Sequence, residues 1–202
     1  MKSSPTSSSN QIFYNRIAPF YRLIDCFLRK HKSHLITELN ASPSGDLLCM
    51  GVGFGKELKA LQKHRIVGID HSEKMLAKAK KYNPNIELVC MKAEQTSFEN
   101  ESFDYIIMAH LLATDNQSEK IITEAKRLLK KDGKLFILNH FTPNNFLRYF
   151  DILFSPFSSL FHFQSVFYLA SLPLKNTFKI DSNQPIGAWN YYRLLTLSKQ
   201  ND

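Results

Sequence analysis

Cysteine is scarce in this 202-residue chain: Cys26, Cys49 and Cys90 stand far apart and odd in number. They form neither a CxxC pair nor a zinc spacing with histidine, so a disulfide scaffold and a structural zinc site are excluded. The expectation is three small, buried, reduced thiols in a cytoplasmic protein. Long apolar stretches are also missing. No uncharged run approaches the roughly 20 residues that cross a bilayer, and the N-terminus lacks the apolar core of a signal peptide. The protein is therefore expected to be soluble or peripheral to a membrane. RNP-type aromatic strings and Arg-rich blocks are absent, so nucleic acid is not an expected partner. No internal repeat and no metal constellation occur; His31 and His34 flank only Lys32 and Ser33. Acidic residues are outnumbered, 18 against 26 Lys and Arg, for a formal charge of +8. Such a charge favours anionic partners, lipid surfaces among them, although a merely soluble basic protein carries it too.

The length suits one domain with a sizeable core and is short for two. Residues 2–10 are Ser-rich with nothing apolar to bury, so 1–10 is expected to be a flexible tail. Residues 11–40 carry apolar positions at three-to-four spacing (Ile12, Phe13, Ile17, Phe20, Ile24, Phe27, Leu28) and predict amphipathic helices. Pro19 would start the second, which would end in Arg29-Lys30-His31-Lys32. That basic cluster reads either as a solvated helix end or as a lipid-headgroup contact.

From residue 46 the period changes. Asp46–Met50 predicts a strand, followed by a glycine-rich turn and a helix over about 55–63. Arg65–Ile69 predicts a second strand ending at Asp70, and Ser72 caps a helix through Tyr82. Ile86–Met91 and Phe103–Ala109 predict two more strands. A helix from Asp115 or Asn116 to Lys130, a turn at Lys131-Asp132-Gly133 and a strand at Lys134–Asn139 follow. Asn176–Ile180 and Tyr191–Leu197 read as late strands, an antiparallel edge pair. Strands alternating with helices predict an α/β fold: a mostly parallel, seven-stranded sheet with helices on both faces over residues 44–202.

Gly51, Gly53 and Gly55 stand at alternate positions directly after the first strand. A ligand lying over such a turn contacts backbone, where side chains would obstruct it. Open α/β sheets bind ligands at this strand edge. Asp70 closes the next strand, where a carboxylate accepts hydrogen bonds from both hydroxyls of a ribose; the alternative is an acid at a helix N-terminus beside Ser72.

The succession GVGFG, VGIDHSEKMLAKAKKY, MKAEQTSFENESFDYIIMAHLL and EAKRLLKKDGKLFILNHF resembles the successive motifs of class I S-adenosylmethionine-dependent methyltransferases, over roughly residues 44–141. The resemblance implies a Rossmann-like fold with S-adenosylmethionine as cofactor. It places Gly51, Gly53 and Gly55 along the methionine and ribose portions and Asp70 on the ribose. It places His71 and Met75 beside the adenine, Ala93 and Glu94 at the adenine edge, and Ala109 toward the methionine moiety and substrate. Two positions depart from the family pattern. Cys49 stands where an acid is usual, and Lys92 where an aspartate accepts from the adenine amino group. A lysine ammonium accepts nothing. A non-catalytic nucleoside- or lipid-binding protein on the same fold is therefore an alternative.

The segment Tyr14-Asn15-Arg16-Ile17-Ala18-Pro19-Phe20-Tyr21 is similar to the opening of two groups: bacterial phosphatidylethanolamine N-methyltransferases, and enzymes that methylate ubiquinone and menaquinone precursors. Valine in GVG and the run Asn139-His140-Phe141 resemble the first group. That resemblance implies a phospholipid amine as acceptor, on the way to phosphatidylcholine, and a monomer bound peripherally at the inner, anionic face of a membrane. The helices over 11–40 would form a lid over substrate or membrane. Tyr14, Tyr21 and His140 are the candidate catalytic residues around the amine, with His110 a weaker one, and His140 is alternatively a hydrogen-bonded structural histidine. Arg148 and Arg193 are candidates for phosphate. Phe146, Phe150, Phe154, Phe157 and Phe161 fall on one helical face interrupted at Pro156, either a core stripe or a surface for acyl chains.

Overall fold

Alternation of apolar residues builds the sheet from its centre outward. In the computed structural model, which describes residues 31–115, 117–158, 164–174, 177–187 and 191–200, Leu48 and Met50 face one core while Leu47 and Cys49 face the other. The same period of two runs through Ile106, Ile107 and Met108 and through Leu135, Phe136, Ile137 and Leu138. Strands buried on both faces are the mark of a sheet with helices on each side.

The strands are β1 (Asp46–Met50), β2 (Arg65–Asp70), β3 (Glu87–Cys90), β4 (Phe103–Ala109), β5 (Leu129–His140), β6 (Phe178–Ile186) and β7 (Tyr192–Lys199). They form one seven-stranded sheet in the order β3-β2-β1-β4-β5-β7-β6. The first five are parallel, and β7 runs antiparallel between β5 and β6. The helices are α1 (Lys32–Ala41), α2 (Glu73–Tyr82), α3 (Ser118–Leu128) and α4 (Leu147–Ser158). Leu35 and Leu39 of α1 and Leu76 of α2 pack on one face, and Ile121, Ile122, Ala125 and Leu128 of α3 on the other. The sequence-based architecture holds.

Several local expectations are corrected. The helix expected over 55–63 is a 3-10 turn, Lys56–Ala60. Gly55 enters it in the left-handed conformation, and Leu58, Leu61 and His64 each donate to the carbonyl three residues back. The helix expected to run to Lys130 stops at Leu128, because Leu129 already pairs with Phe103 in the sheet. The register then shifts, so the expected turn at 131–133 is a bulge within β5. The basic cluster at 29–32 was expected to close a helix, but Lys32 opens one, and its ammonium lies buried against Glu57 at 2.6 Å rather than toward solvent or lipid. Helix α4 runs past position 156 to Ser158. Cys49 is buried as expected, whereas Cys90 is exposed. The tail 1–10, most of 11–40, Cys26, Tyr14 and Tyr21 lie outside the described residues. No helix among the described residues is long and apolar enough to cross a membrane.

The segment after β3 is clamped to α3. Glu124 accepts from the Thr96 amide and hydroxyl, at 2.8 and 2.6 Å, and from the Arg127 guanidinium. Arg127 also donates to the Phe98 carbonyl and the Asn100 side chain. The Arg127 guanidinium and the Thr96 donors hold the Glu124 carboxyl down at about 2, from an ordinary 4.5. The group is nearly buried, and a depressed native pKa adds stability above the unfolded value. That stability is lost as the pH falls through the native value. Glu124→Gln is therefore expected to cost about 2–3 kcal/mol in urea unfolding at pH 7. The gap from wild type should narrow between pH 4.5 and about 2. A gap that stays constant with pH would contradict this clamp.

Candidate active site

The glycine turn is held by β2 beside it. The Val52 amide donates to the Ile69 carbonyl and the Gly53 amide to Asp70 Oδ2, both at 2.9 Å. Asp70 Oδ1 accepts from the Ser72 amide at 2.9 Å, which fixes the start of α2. Burial pushes the Asp70 carboxyl above its ordinary value, against the pull of the Ser72 and Gly53 donors. One carboxylate thus joins the turn after β1 to the helix after β2. Asn83 completes the frame, its buried amide donating to the Gly55 carbonyl at 2.8 Å.

Gly51, Gly53 and Gly55 all have positive φ. A side chain at Gly51 would collide with Leu111, its Cβ 2.8 Å from Cδ1. Gly53 differs, because nothing lies within 4 Å of where its Cβ would be. The backbone there faces open space at the carboxyl edge of the sheet. Asp70 accepts from the backbone amides of Gly53, Ser72 and His71, and a carboxylate has about four acceptor positions, so capacity remains for a ligand hydroxyl. An open glycine cradle beside an acceptor-only carboxylate fits a ribose with neighbouring hydroxyls.

The remaining residues expected around the nucleoside lie on the same edge. His71 sits beside Asp70, Nδ1 3.9 Å from Oδ1. Met75 is buried, its amide donating to Ser72 Oγ. Ala93 packs on the core, and Glu94 Oε1 accepts from the Gln117 side chain at 3.0 Å. Lys92, the departure at the adenine edge, is exposed. Asp115 stands near it: burial raises its carboxyl, the Gln117 amide donates to it, and Glu94, His71 and Lys92 are its charged neighbours. Glu94 and Asp115 therefore offer the acceptor oxygens that Lys92 lacks. Cys49 points into the core, where burial and the Glu57 carboxylate push its thiol far up. Lys32 and Glu57 place a buried ion pair close to that thiol, which sequence reasoning missed because Lys32 read as part of a surface cluster.

Farther along the edge, the ends of β4 and β5 and the start of β7 carry histidines and tyrosines. His110 follows β4 at φ 59° and packs edge-on against Tyr192 at 5.6 Å. Burial, with Lys32, His140 and His31 nearby, keeps its imidazole neutral. His140 ends β5, pairs in register with Tyr192 and stacks on Tyr191 at 5.5 Å. Its Nε2 lies 3.0 Å from the Gln164 carbonyl. A carbonyl only accepts, so Nε2 carries the proton in this contact. Burial lowers the His140 pKa. The Tyr191 hydroxyl donates to Asp151 Oδ1 on α4 at 2.8 Å. Sequence reasoning missed Tyr191, Tyr192 and Asp151. The available signal was that Asp151 is the one acid in the aromatic stretch 141–170. A cleft of about 990 Å³ opens beside this end, lined in part by Phe141, Thr142, Leu172, Ile180 and Arg193. Arg148 lies over the Tyr149 ring. Tyr14 and Tyr21 fall outside the described residues, so their position relative to this cluster is not part of the geometry.

Residues 48–137 match a family model described as "Methyltransferase domain". The chain is 35% identical over 105 residues to the phosphatidylethanolamine N-methyltransferase of Cereibacter sphaeroides, across 48% of this chain and 51% of that protein. It is 31% identical over 140 residues to the demethylmenaquinone methyltransferase of Thermotoga maritima, across 65% and 61%. The chain thus spans about half of the first relative's length and three-fifths of the second's. Among solved structures, an S-adenosylmethionine-dependent methyltransferase of Thermotoga maritima shares the fold with a TM-score of 0.74, at 21% identity, across 94% of this chain and 99% of that one.

Asp70→Asn sets an amide –NH₂ against backbone donors that now meet a carboxylate oxygen. Its affinity for S-adenosylhomocysteine, measured by calorimetry, should fall at least about tenfold with the loss of one charge-assisted hydrogen bond. Wild-type affinity in the variant would remove Asp70 from the site.

Proposed function

We propose that this chain, a class I S-adenosylmethionine-dependent methyltransferase, methylates the amine of phosphatidylethanolamine at an anionic membrane surface. The observation that carries the lipid part is the outer face of α4. Tyr149, Phe150 and Leu153 on the helix, with Phe146 just before it, recur at helical spacing, and all are exposed by 55–68%. The stripe that the sequence left open between core and surface is turned outward at Phe146 and Phe150. A soluble protein seldom leaves so continuous an apolar face bare without a binding role. Next to it stands Arg148, and the chain carries +8, so the charge complements anionic headgroups. The opposite side of the same helix holds Asp151 against the acceptor end of the site. A lipid drawn from the bilayer under α4 would therefore meet the site headgroup first. The similarity to the phosphatidylethanolamine N-methyltransferase of Cereibacter sphaeroides agrees with this acceptor.

Gly51, Gly53, Gly55 and Asp70 would hold the cofactor, with Glu94 and Asp115 at the adenine edge. Bound S-adenosylmethionine supplies an electrophilic methyl group on a sulfonium. The protein's task is alignment and exclusion of water. His110, His140, Tyr191 and Tyr192 wall the acceptor end, and burial keeps both imidazoles neutral. Neutral walls leave an incoming cation unopposed. His140 and the undescribed Tyr14 and Tyr21 are kept as candidates for contact with the acceptor. The protein would act as a monomer on the inner leaflet, without nucleic acid.

A second reading is favoured by one observation. The match to the demethylmenaquinone methyltransferase of Thermotoga maritima covers more of this chain, 65% against 48%. A quinone-type ring would use the same cofactor cradle and the same apolar face.

Two measurements test the lipid reading. Labelled S-adenosylmethionine with vesicles of phosphatidylethanolamine and phosphatidylglycerol should yield labelled mono-, di- or trimethylated lipid. With cofactor binding confirmed, an absence of labelled lipid would contradict the proposal and leave the ring acceptor. Phe150→Ser combined with Leu153→Ser should weaken binding to those vesicles at least about tenfold, since each side chain gains over 1 kcal/mol on burial. Undiminished binding would take α4 out of the membrane contact.

A further inference from the structure

The acceptor end contains a buried acid that the cofactor cradle does not use. Asp151 is only 6% exposed. Its Oδ1 accepts from the Tyr191 hydroxyl, and its backbone carbonyl accepts from Ser165 Oγ at 2.9 Å, so the side chain and its helix turn are both fixed. Its Oδ2 is buried and has no hydrogen-bond partner among the described residues. No lysine or arginine among them pairs with it either. A carboxylate taken out of water needs a cation or a full set of donors. Here one oxygen is satisfied and the other is bare.

The acid is joined to an aromatic cluster through the Tyr191 hydroxyl, and its charge acts on His140 and Tyr192. The rings of Tyr191 and Tyr192 lie 5.3 Å apart at 82°, so they form two walls of a corner. His140 stacks on the first and meets the second edge-on at 6.5 Å. His110 closes the side toward β4. Aromatic faces around a carboxylate are the chemistry that recognises an organic ammonium ion: the rings attract its spread charge, and the carboxylate accepts its N–H. The place suits methyl transfer. His140 and Tyr192 are partners in the β5–β7 register, and β4 alone separates β5 from β1. The cluster and the glycine turn therefore share one sheet edge, with His140 two strand spacings and Tyr192 three from β1, about 10–14 Å.

We infer that Asp151, with Tyr191, Tyr192 and His140, forms the seat of the acceptor's ammonium group, and that Asp151 Oδ2 takes its proton. The inference deepens the amine-methylating reading and rests on it. In the step, the N–H bond of the seated ammonium breaks and an O–H bond forms at Oδ2. The electron pair stays on nitrogen and becomes the nucleophile for the methyl carbon. The Tyr191 hydroxyl holds Oδ1 in place and remains protonated, since burial and the Asp151 charge push its pKa up. Asp151 is then a catalytic residue, and Tyr191 a positioning residue that acts through it.

The test uses the full chain with S-adenosylhomocysteine bound and tetramethylammonium chloride as the probe, followed by calorimetry. Wild type should bind the probe saturably, and Asp151→Asn should bind it at least about tenfold more weakly with unchanged S-adenosylhomocysteine affinity. Absence of saturable binding to wild type, or wild-type affinity in Asp151→Asn, would overturn the inference. If Asp151→Asn does not fold, as judged by circular dichroism, Tyr191→Phe decides. It leaves the carboxylate in place and should weaken the probe about threefold or more through loss of one hydrogen bond; equal affinity would overturn the inference. The lipid proposal fails separately. A probe site sensitive to Asp151 together with unlabelled phosphatidylethanolamine would keep the ammonium seat and move the acceptor to another amine. Labelled lipid with a probe site indifferent to Asp151 would do the reverse.

Discussion

The site depends on one carboxylate in a place where a carboxylate is costly. Asp70 is nearly buried at the end of β2, and its two oxygens are shared between the glycine turn after β1 and the first turn of α2. Without it, Gly53 would lose the donor–acceptor contact that shapes the turn, and Ser72 would lose the contact that starts its helix. The desolvation of Asp70 is offset only in part by the backbone amides of Ser72, Gly53 and His71 and by the His71 imidazole. A further donor from a bound ribose would relieve more of it. The three positive-φ glycines, in a conformation glycine adopts without strain, and the burial of this acid are thus features of one backbone cradle shaped before any ligand arrives.

The other end of the edge is organised differently. Around Gly53 the chain offers bare backbone and open space, while around Tyr192 it offers rings. His110 and His140 are neutral, and the nearby acid comes from a helix rather than a strand. α4 links this chemistry to the outside. Its inner side anchors Asp151, and its outer side carries the apolar stripe. A single helix would thereby couple the surface on which the protein rests to the group that receives the acceptor's charge.

Much of the cofactor half was legible in the sequence because it is written locally. GVGFG follows β1, Asp70 ends β2, and Ser72 caps α2, so each role sits within a few residues of a strand end. The mostly parallel sheet and its antiparallel edge pair followed from the alternation of elements, whereas the strand order is read only from the fold. What the sequence hid is contact over long separations. Asp151 and Tyr191 are 40 residues apart, and Lys32 and Glu57 are 25 apart. No periodicity announces such pairs. The error at the basic cluster has the same origin: a lysine beside Arg29, Lys30 and His31 reads as solvated until a partner on another element is known. The bulge in β5 was missed because Lys131-Asp132-Gly133 is turn chemistry, and only the register against Phe103 shows that pairing begins before it.

Amide resonances of the isotopically labelled protein, titrated with S-adenosylhomocysteine, test most directly whether the cradle is where the cofactor lies. Asp70 binds the turn and α2 together, so Gly51, Gly53 and Ser72 should shift as one saturable set. Asp46 and Arg65, at the opposite edge of the sheet, should stay unchanged. Saturable shifts centred on that opposite edge, or an unmoved Gly53, would contradict the account.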